Sequence, residues 1–193
     1  MDDLSLNGLT SITDAQAEIL SKVDSLYLNG LTSITDAQAE SLSKVDGFLT
    51  LNGLTSITDE QAKSLSKVDG WLGFALNSLT SITDAQAEIL SKVNALHLNG
   101  LTSITDAQAE SLSKVDALYL SGLTSITDEQ AESLSKVDEF LILDGLTSIT
   151  DAQAEILSKV DALYLNGLTS ITDAQLKSLR KVSMLEVPSI VRD

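Results

Sequence analysis

Three columns of carboxylates run the length of this 193-residue chain, and aligned carboxylates are well suited to holding a hard cation. Asp14, Asp36, Asp59, Asp84, Asp106, Asp128, Asp151 and Asp173 each follow a Thr. Asp24, Asp46, Asp69, Asp116, Asp138 and Asp161 recur ten residues after members of the first column, with Asn94 interrupting. Glu18, Glu40, Glu88, Glu110, Glu132 and Glu155 form the third column, broken by Lys63 and Lys177. Calcium would need a converging loop, and the chain has neither an EF-hand loop nor a Gly-Asp nonapeptide repeat. A lysine column from Lys22 to Lys181 already offers countercharge. The acids are therefore read as helix caps and solvated faces, and neither a metal site nor a cofactor is expected.

Catalysis is poorly served. A nucleophile needs a nearby base and a group that orients it. The chain has one His, His97, no Cys, and serines that recur in columns. No enzymatic activity is expected. A Thr column, Thr10, Thr32, Thr55, Thr80, Thr102, Thr124, Thr147 and Thr169, runs beside a Ser column from Ser11 to Ser170. Regular hydroxyl ladders on a flat solenoid can match an ice lattice, so ice binding is one alternative. Against it, the two columns are adjacent in sequence, and alternation is what would place both on one strand face. Thr13 and its equivalents are better used as helix caps.

The elements that carry these columns follow from one repeat. The hexapeptide Leu-Thr-Ser-Ile-Thr-Asp starts at Leu9, Leu31, Leu54, Leu79, Leu101, Leu123, Leu146 and Leu168, at intervals of 22 to 25 residues. Such a period is the signature of a solenoid. In the unit Leu26 to Val45, Leu26 and Leu28 flank Tyr27 with the period of two of a short strand. Asn29-Gly30 reads as a turn in which Gly tolerates positive φ. Leu31 and Ile34 point inward from a bent corner. Thr35 or Asp36 starts a helix, with Thr35 and Gln38 spaced as a capping box. Ala39, Leu42 and Val45 lie on one helical face, and Lys44 is placed in the last turn, where a cation is favourable. No unit could bury its apolar face alone, so stacked units must share one core and one parallel sheet.

The net charge of −16 argues against nucleic acid, whose phosphates need clustered Lys and Arg, and against anionic membrane surfaces. It favours a neutral or basic partner. No apolar run approaches the ~20 residues of a membrane span. The start has neither the basic region nor the apolar stretch of a signal peptide. It enters in mid-repeat at Leu4-Ser5-Leu6, which suggests a segment of a longer protein or artificially set bounds. Without cysteine there is no disulfide framework.

The helix and corner segments barely vary, and the strand lead-ins do. The residue between the strand leucines runs Ser5, Tyr27, Thr50, Ala75, His97, Tyr119, Ile142, Tyr164 and Glu186. Every insertion falls just before it, as in Val68-Asp69-Gly70-Trp71-Leu72-Gly73-Phe74-Ala75-Leu76. All seven aromatics, Tyr27, Phe48, Trp71, Phe74, Tyr119, Phe140 and Tyr164, lie in these segments. Tyr and Trp make good interface anchors because they bury large area at low entropic cost. They are also ordinary strand residues, and Phe48, Trp71 and Phe140 could simply plug gaps made by the inserted residues.

Val23-x-x-Leu26-x-Leu28-x-x-Leu31-x-x-Ile34 resembles the leucine-rich repeat, Leu-x-x-Leu-x-Leu. The Leu-Thr-Ser-Ile segment resembles the bacterial BspA-like (Treponema-type) group, whose units run Leu-x-x-Ile-x-Ile-Pro-x-x-Val-Thr-Ser-Ile-Gly-x-x-Ala-Phe-x-x-Cys. Here Asn29 stands for the proline, which Pro188 restores in the last unit. Thr35 stands for the glycine, Ala39 for the phenylalanine and Leu42 for the cysteine, which suggests a longer, better-capped helix. The resemblance implies strands on a concave side, contact with proteins, and a bacterial surface or secreted setting.

The expectation is a right-handed, leucine-rich-repeat-like α/β solenoid of eight strand–turn–helix units, with a parallel sheet on one face and short helices on the other. Residues 1–193 form a single repeat domain: a lead-in at 1–3, eight repeats at 4–182 and a strand cap at 183–193. The expected function is a non-enzymatic, monomeric protein-binding module. Its contact residues are Tyr27, Thr50, Trp71, His97, Tyr119, Ile142 and Tyr164. The alternatives are a structural spacer or surface array without a specific ligand, and ice binding.

Overall fold

A computed structural model describes residues 3–68, 70 and 73–188. Among them strands and short helices alternate without exception. The first half runs β1 (Asp3–Ser5), α1 (Asp14–Leu20), β2 (Ser25–Tyr27), α2 (Asp36–Leu42), β3 (Leu49–Thr50), α3 (Asp59–Leu65), β4 (Phe74–Ala75) and α4 (Asp84–Leu90). The second runs β5 (Ala95–His97), α5 (Asp106–Leu112), β6 (Ala117–Tyr119), α6 (Asp128–Leu134), β7 (Phe140–Ile142), α7 (Asp151–Leu157), β8 (Ala162–Tyr164), α8 (Asp173–Leu179) and β9 (Met184–Glu186). The nine strands form one sheet in sequence order, every pair parallel.

Register is held across every insertion. Leu26 pairs with Leu49, Leu49 with Phe74, and Phe74 with Leu96, so Phe74 takes a core leucine's place. Among the described residues, Gly47 and Glu139 fall just before the paired strand segments. A one-residue slip would have turned each strand's leucine out of the core. That core is a single cluster along the array, to which each unit adds residues such as Leu26, Leu28, Leu31, Ala39, Leu42 and Val45. Each buried Leu or Val contributes roughly 1.5–3 kcal/mol.

A seven-residue helix is too short to persist alone. Each one here is held by its cap and by its neighbours. In α5 the Thr105 hydroxyl accepts from Gln108 N at 3.1 Å, and Gln108 Oε1 accepts from Thr105 N at 3.0 Å, closing the expected capping box. The same glutamine's Nε2 donates to the Ile82 carbonyl of the preceding unit at 2.9 Å. An amide does both at neutral pH and a carboxylate, which only accepts, cannot, which is why this position is Gln in every unit and never Glu. The first-turn aspartates also reach across units: the Thr105 hydroxyl donates to Asp84 at 2.9 Å.

Two local expectations are corrected. Lys44 lies beyond the helix, after the C-cap Ser43, and so is not in a last turn. The turn glycines do not use positive φ; among the described residues only Gly73 does. They are needed for closeness. A Cβ on Gly100 would strike the carbonyl oxygens of Asn77 and Leu79, the latter at 2.5 Å. The asparagines at this turn build a ladder: Asn29 N donates to Asn7 Oδ1 at 3.0 Å, and Asn52 N to Asn29 Oδ1 at 3.1 Å, with Ser121 and Asp144 taking the position in two later units. Asn therefore does here what proline cannot, since it offers an amide N–H to one neighbour and a side-chain acceptor to the next.

Candidate interaction surface on the sheet

Alternation along each strand turns the leucines inward and the residues between them outward. The outward residues form two columns. One runs Ser5, Tyr27, Thr50, Ala75, His97, Tyr119, Ile142, Tyr164 and Glu186 in direct register. The other, two residues earlier, holds small residues at Ser25, Gly73, Ala95, Ala117 and Ala162, with Phe48 and Phe140 between them and Asp3 and Met184 at the two ends.

The aromatic rings of this face connect. Tyr27 and Phe48 meet edge to face with centroids 6.1 Å apart. Phe48 and His97 lie 5.3 Å apart, and His97 stacks on Tyr119 at 3.7 Å with 11° between planes. Phe48 leads into β3 and His97 ends β5, so the Phe48 ring spans the intervening strand β4. There the outward residues are Gly73 and Ala75, which put nothing in its way. Ala75 and Thr50 are consequently covered, at 1% and 4% exposure. The Thr50 hydroxyl is buried without a hydrogen-bond partner. Further along, the Tyr164 hydroxyl lies 3.1 Å from Met184 Sδ.

Charge is kept off this strip. Burial pushes the His97 imidazole down to about 4, so it is neutral at pH 7. The same burial, with Tyr164 nearby, raises Tyr119 above the ordinary phenol value. No charged residue stands in the outward column between Ser5 and Tyr164. Beside it, Asp24, Asp46, Asp116, Asp138 and Asp161 form an exposed acidic border just before the strands. No three His, Asp or Glu side chains converge to hold a metal ion among the described residues. The Thr10 column lies outside the sheet, between the strand turns and the helices.

Of the seven residues expected to make contact, Tyr27, His97, Tyr119 and Tyr164 are half-buried on this face. Thr50 and Ile142 are on the same face but buried, with 4% and 8% exposure, so they offer a partner little surface. Trp71 lies outside the described residues, and the register position of its unit is Ala75. Phe48, read from sequence as a possible plug, is the link between Tyr27 and His97. The available signal was its spacing of two from Thr50, which puts both on one strand face.

No protein-family model matches the sequence, and no curated protein matches it either. Solved structures do resemble it. One is a TLR13–ssRNA13 complex, with TM-score 0.61 and 19% identity over 89% of this chain and 26% of that one. Another is an internalin, inlF, of Listeria monocytogenes, with TM-score 0.51 and 16% identity over 93% of this chain and 65% of that one. The chain thus spans about a quarter of the first protein and less than two thirds of the second. At these identities the likeness speaks for architecture alone, and the architecture is that of a leucine-rich-repeat solenoid.

Proposed function

We propose that this chain is a non-enzymatic interaction module that binds a protein on the outward face of its sheet, across Tyr27, Phe48, His97, Tyr119 and Tyr164. The observation that carries the reading is the connected, uncharged aromatic strip on a protein of net charge −16. Aromatic anchors on a rigid sheet bury area with little loss of side-chain freedom. The acidic border favours a partner with basic groups along one edge. The TLR13 neighbour was solved with single-stranded RNA, but this strip offers no Lys or Arg to phosphates. Catalysis is disfavoured because His97, the one histidine, is packed against the rings of Phe48 and Tyr119. The Leu-Thr-Ser-Ile resemblance to BspA-like units supports a place at a bacterial surface.

A pull-down from cell-surface and extracellular-matrix extracts tests this. The control carries Tyr27→Ser, His97→Ser, Tyr119→Ser and Tyr164→Ser, with its fold checked by circular dichroism. Capture by the parent and not by the control is expected. Capture of the same proteins by both would refute the strip and leave a repetitive spacer as the better reading. That reading draws on the near-identity of the helical and corner surfaces from unit to unit.

A further inference from the structure

The tetrapeptide Leu-Asn-Gly-Leu occurs five times, at Asn7, Asn29, Asn52, Asn99 and Asn166, and each time runs on into Thr-Ser-Ile-Thr-Asp. An Asn-Gly pair is open to imide formation, because no Cβ hinders the glycine nitrogen as it approaches the asparagine Cγ. Identical local sequence gives all five pairs the same intrinsic reactivity. Any difference among them is set by the fold.

Four of the five asparagines are held. Oδ1 of Asn7 accepts from Asn29 N at 3.0 Å, that of Asn29 from Asn52 N at 3.1 Å, and that of Asn52 from Asn77 N at 2.9 Å. Asn99 Oδ1 accepts from Ser121 N at 2.9 Å. Each bond fixes the side-chain torsions, and Cγ turns onto its own glycine only by giving the bond up. Asn166 differs. β8 pairs with β9 at Tyr164 and Glu186, so two residues on Asn166 stands opposite Pro188. Proline has no N–H to donate. The Asn166 backbone is in place, since its N–H still donates to Asp144 Oδ1 at 2.9 Å. Its side-chain amide has no hydrogen-bond partner among the described residues and is exposed. Nor, among those residues, does any carbonyl take the Gly167 N–H.

We propose that Asn166–Gly167 is a site of spontaneous covalent modification, at which the chain's own backbone and water convert the asparagine to aspartyl and isoaspartyl forms. Gly167 N bonds to Asn166 Cγ, the Cγ–Nδ2 bond breaks, and Nδ2 leaves as ammonia with the proton of the Gly167 N–H. Water then opens the five-membered imide. Attack at Cγ breaks the new bond and leaves an aspartyl side chain. Attack at the Asn166 carbonyl carbon breaks the original peptide bond and routes the chain through Cγ. Either way one amide and one water become one carboxylic acid and one ammonia, and the ionised acid takes the net charge of −16 one unit lower. The column accepts the aspartyl product, since Asp144 already stands in it as an acceptor. The isoaspartyl product adds a methylene to the backbone where Gly167 is pressed against the Asp144 carbonyl, so it loosens this turn. The site thus registers the age of the chain, and it is independent of the strand-face reading.

Peptide mapping of the intact chain after incubation at about pH 8 and ~37 °C tests it. Trypsin places the five pairs in separate peptides, residues 1–22, 23–44, 45–63, 93–114 and 160–177, and each conversion adds about 1 Da, located by fragment ions. Peptide 160–177 should convert about tenfold or more faster than the other four, the ratio set by one hydrogen bond given up. Asn7 is the sharpest comparison, because it is also exposed but is held through both Oδ1 and Nδ2. Pro188→Ala restores the missing N–H and should slow Asn166 to the rate of the others. Ser121→Pro removes a donor and should speed Asn99. In concentrated urea all five should convert alike. Equal rates in the folded chain, Asn7 as fast as Asn166, unequal rates in urea, or no slowing by a Pro188→Ala chain with unchanged circular dichroism would overturn the proposal. The comparison within the unsubstituted chain stands even if a variant misfolds.

Discussion

Changing Gln108 to Glu removes one donor and adds one charge at the point where two repeats are joined. The new carboxylate can still accept from Thr105 N, and at the helix N-terminus its charge gains about 0.3–1 kcal/mol. It cannot donate to the Ile82 carbonyl, now an oxygen facing an oxygen across a 2.9 Å hydrogen-bond distance. The site is 7% exposed, so water does not rescue either group. A lost hydrogen bond and a buried group left unsatisfied cost about 1–3 kcal/mol. The net loss is about 1–2 kcal/mol at pH 7. With a urea m-value of ~2 kcal/mol/M, the midpoint falls by about 0.5–1 M.

The penalty is pH-dependent. A buried carboxylate facing a carbonyl titrates above the ordinary ~4.3, and its protonated form restores the donor. The penalty is therefore full above the raised folded-state pKa, shrinks as pH falls through it, and is gone below ~4. Gln16→Glu is the internal control, because Gln16 has the capping box and no preceding carbonyl to reach. It should be neutral or slightly stabilising. Urea titrations followed by circular dichroism at pH 7 and pH 4.5 measure all of this. Equal costs for the two substitutions, or no cost at Gln108, would refute the account of why this column is glutamine.

Gly100→Ala should destabilise by about 2 kcal/mol or more, since the new methyl collides with backbone, while Gly8→Ala, which meets nothing within 4 Å, should not; thermal melts separate the two. Thr50→Val removes a buried hydroxyl without a partner and keeps its shape, so the urea midpoint should rise by an amount equivalent to about 1 kcal/mol. His97 should titrate near 4 in a proton NMR titration. Because this folded-state value lies below the ordinary 6.5, the unfolded chain binds more protons between them, and stability falls as pH drops from 6.5 toward 4. His97→Phe should abolish that component; an unchanged slope would show that His97 does not produce it.

The repeat architecture was legible because one pattern recurs eight times and each local signal agrees with it. The spacing of Leu26 and Leu28 specified a strand, Thr35 with Gln38 specified a helix start, and the period demanded stacking. The outward column from Ser5 to Glu186 followed from alternation alone, and the pairing register bears it out. Contacts between units were not legible, because they join residues more than twenty positions apart that look locally like something else. Asn29 reads as a turn residue and is also a rung of a ladder. Gly30 reads as a φ requirement and answers a carbonyl.

The same division holds for the candidate binding face. Sequence by itself determined which residues point outward, since that needs only the pleat of a strand. Tertiary structure alone decided which of them reach the surface. Phe48 leans across the strand that bears Ala75, so Thr50 is covered and His97 becomes the neighbour of a residue two strands away. A ring's reach depends on the size of what lies beneath it in adjacent chains, and no local pattern carries that information.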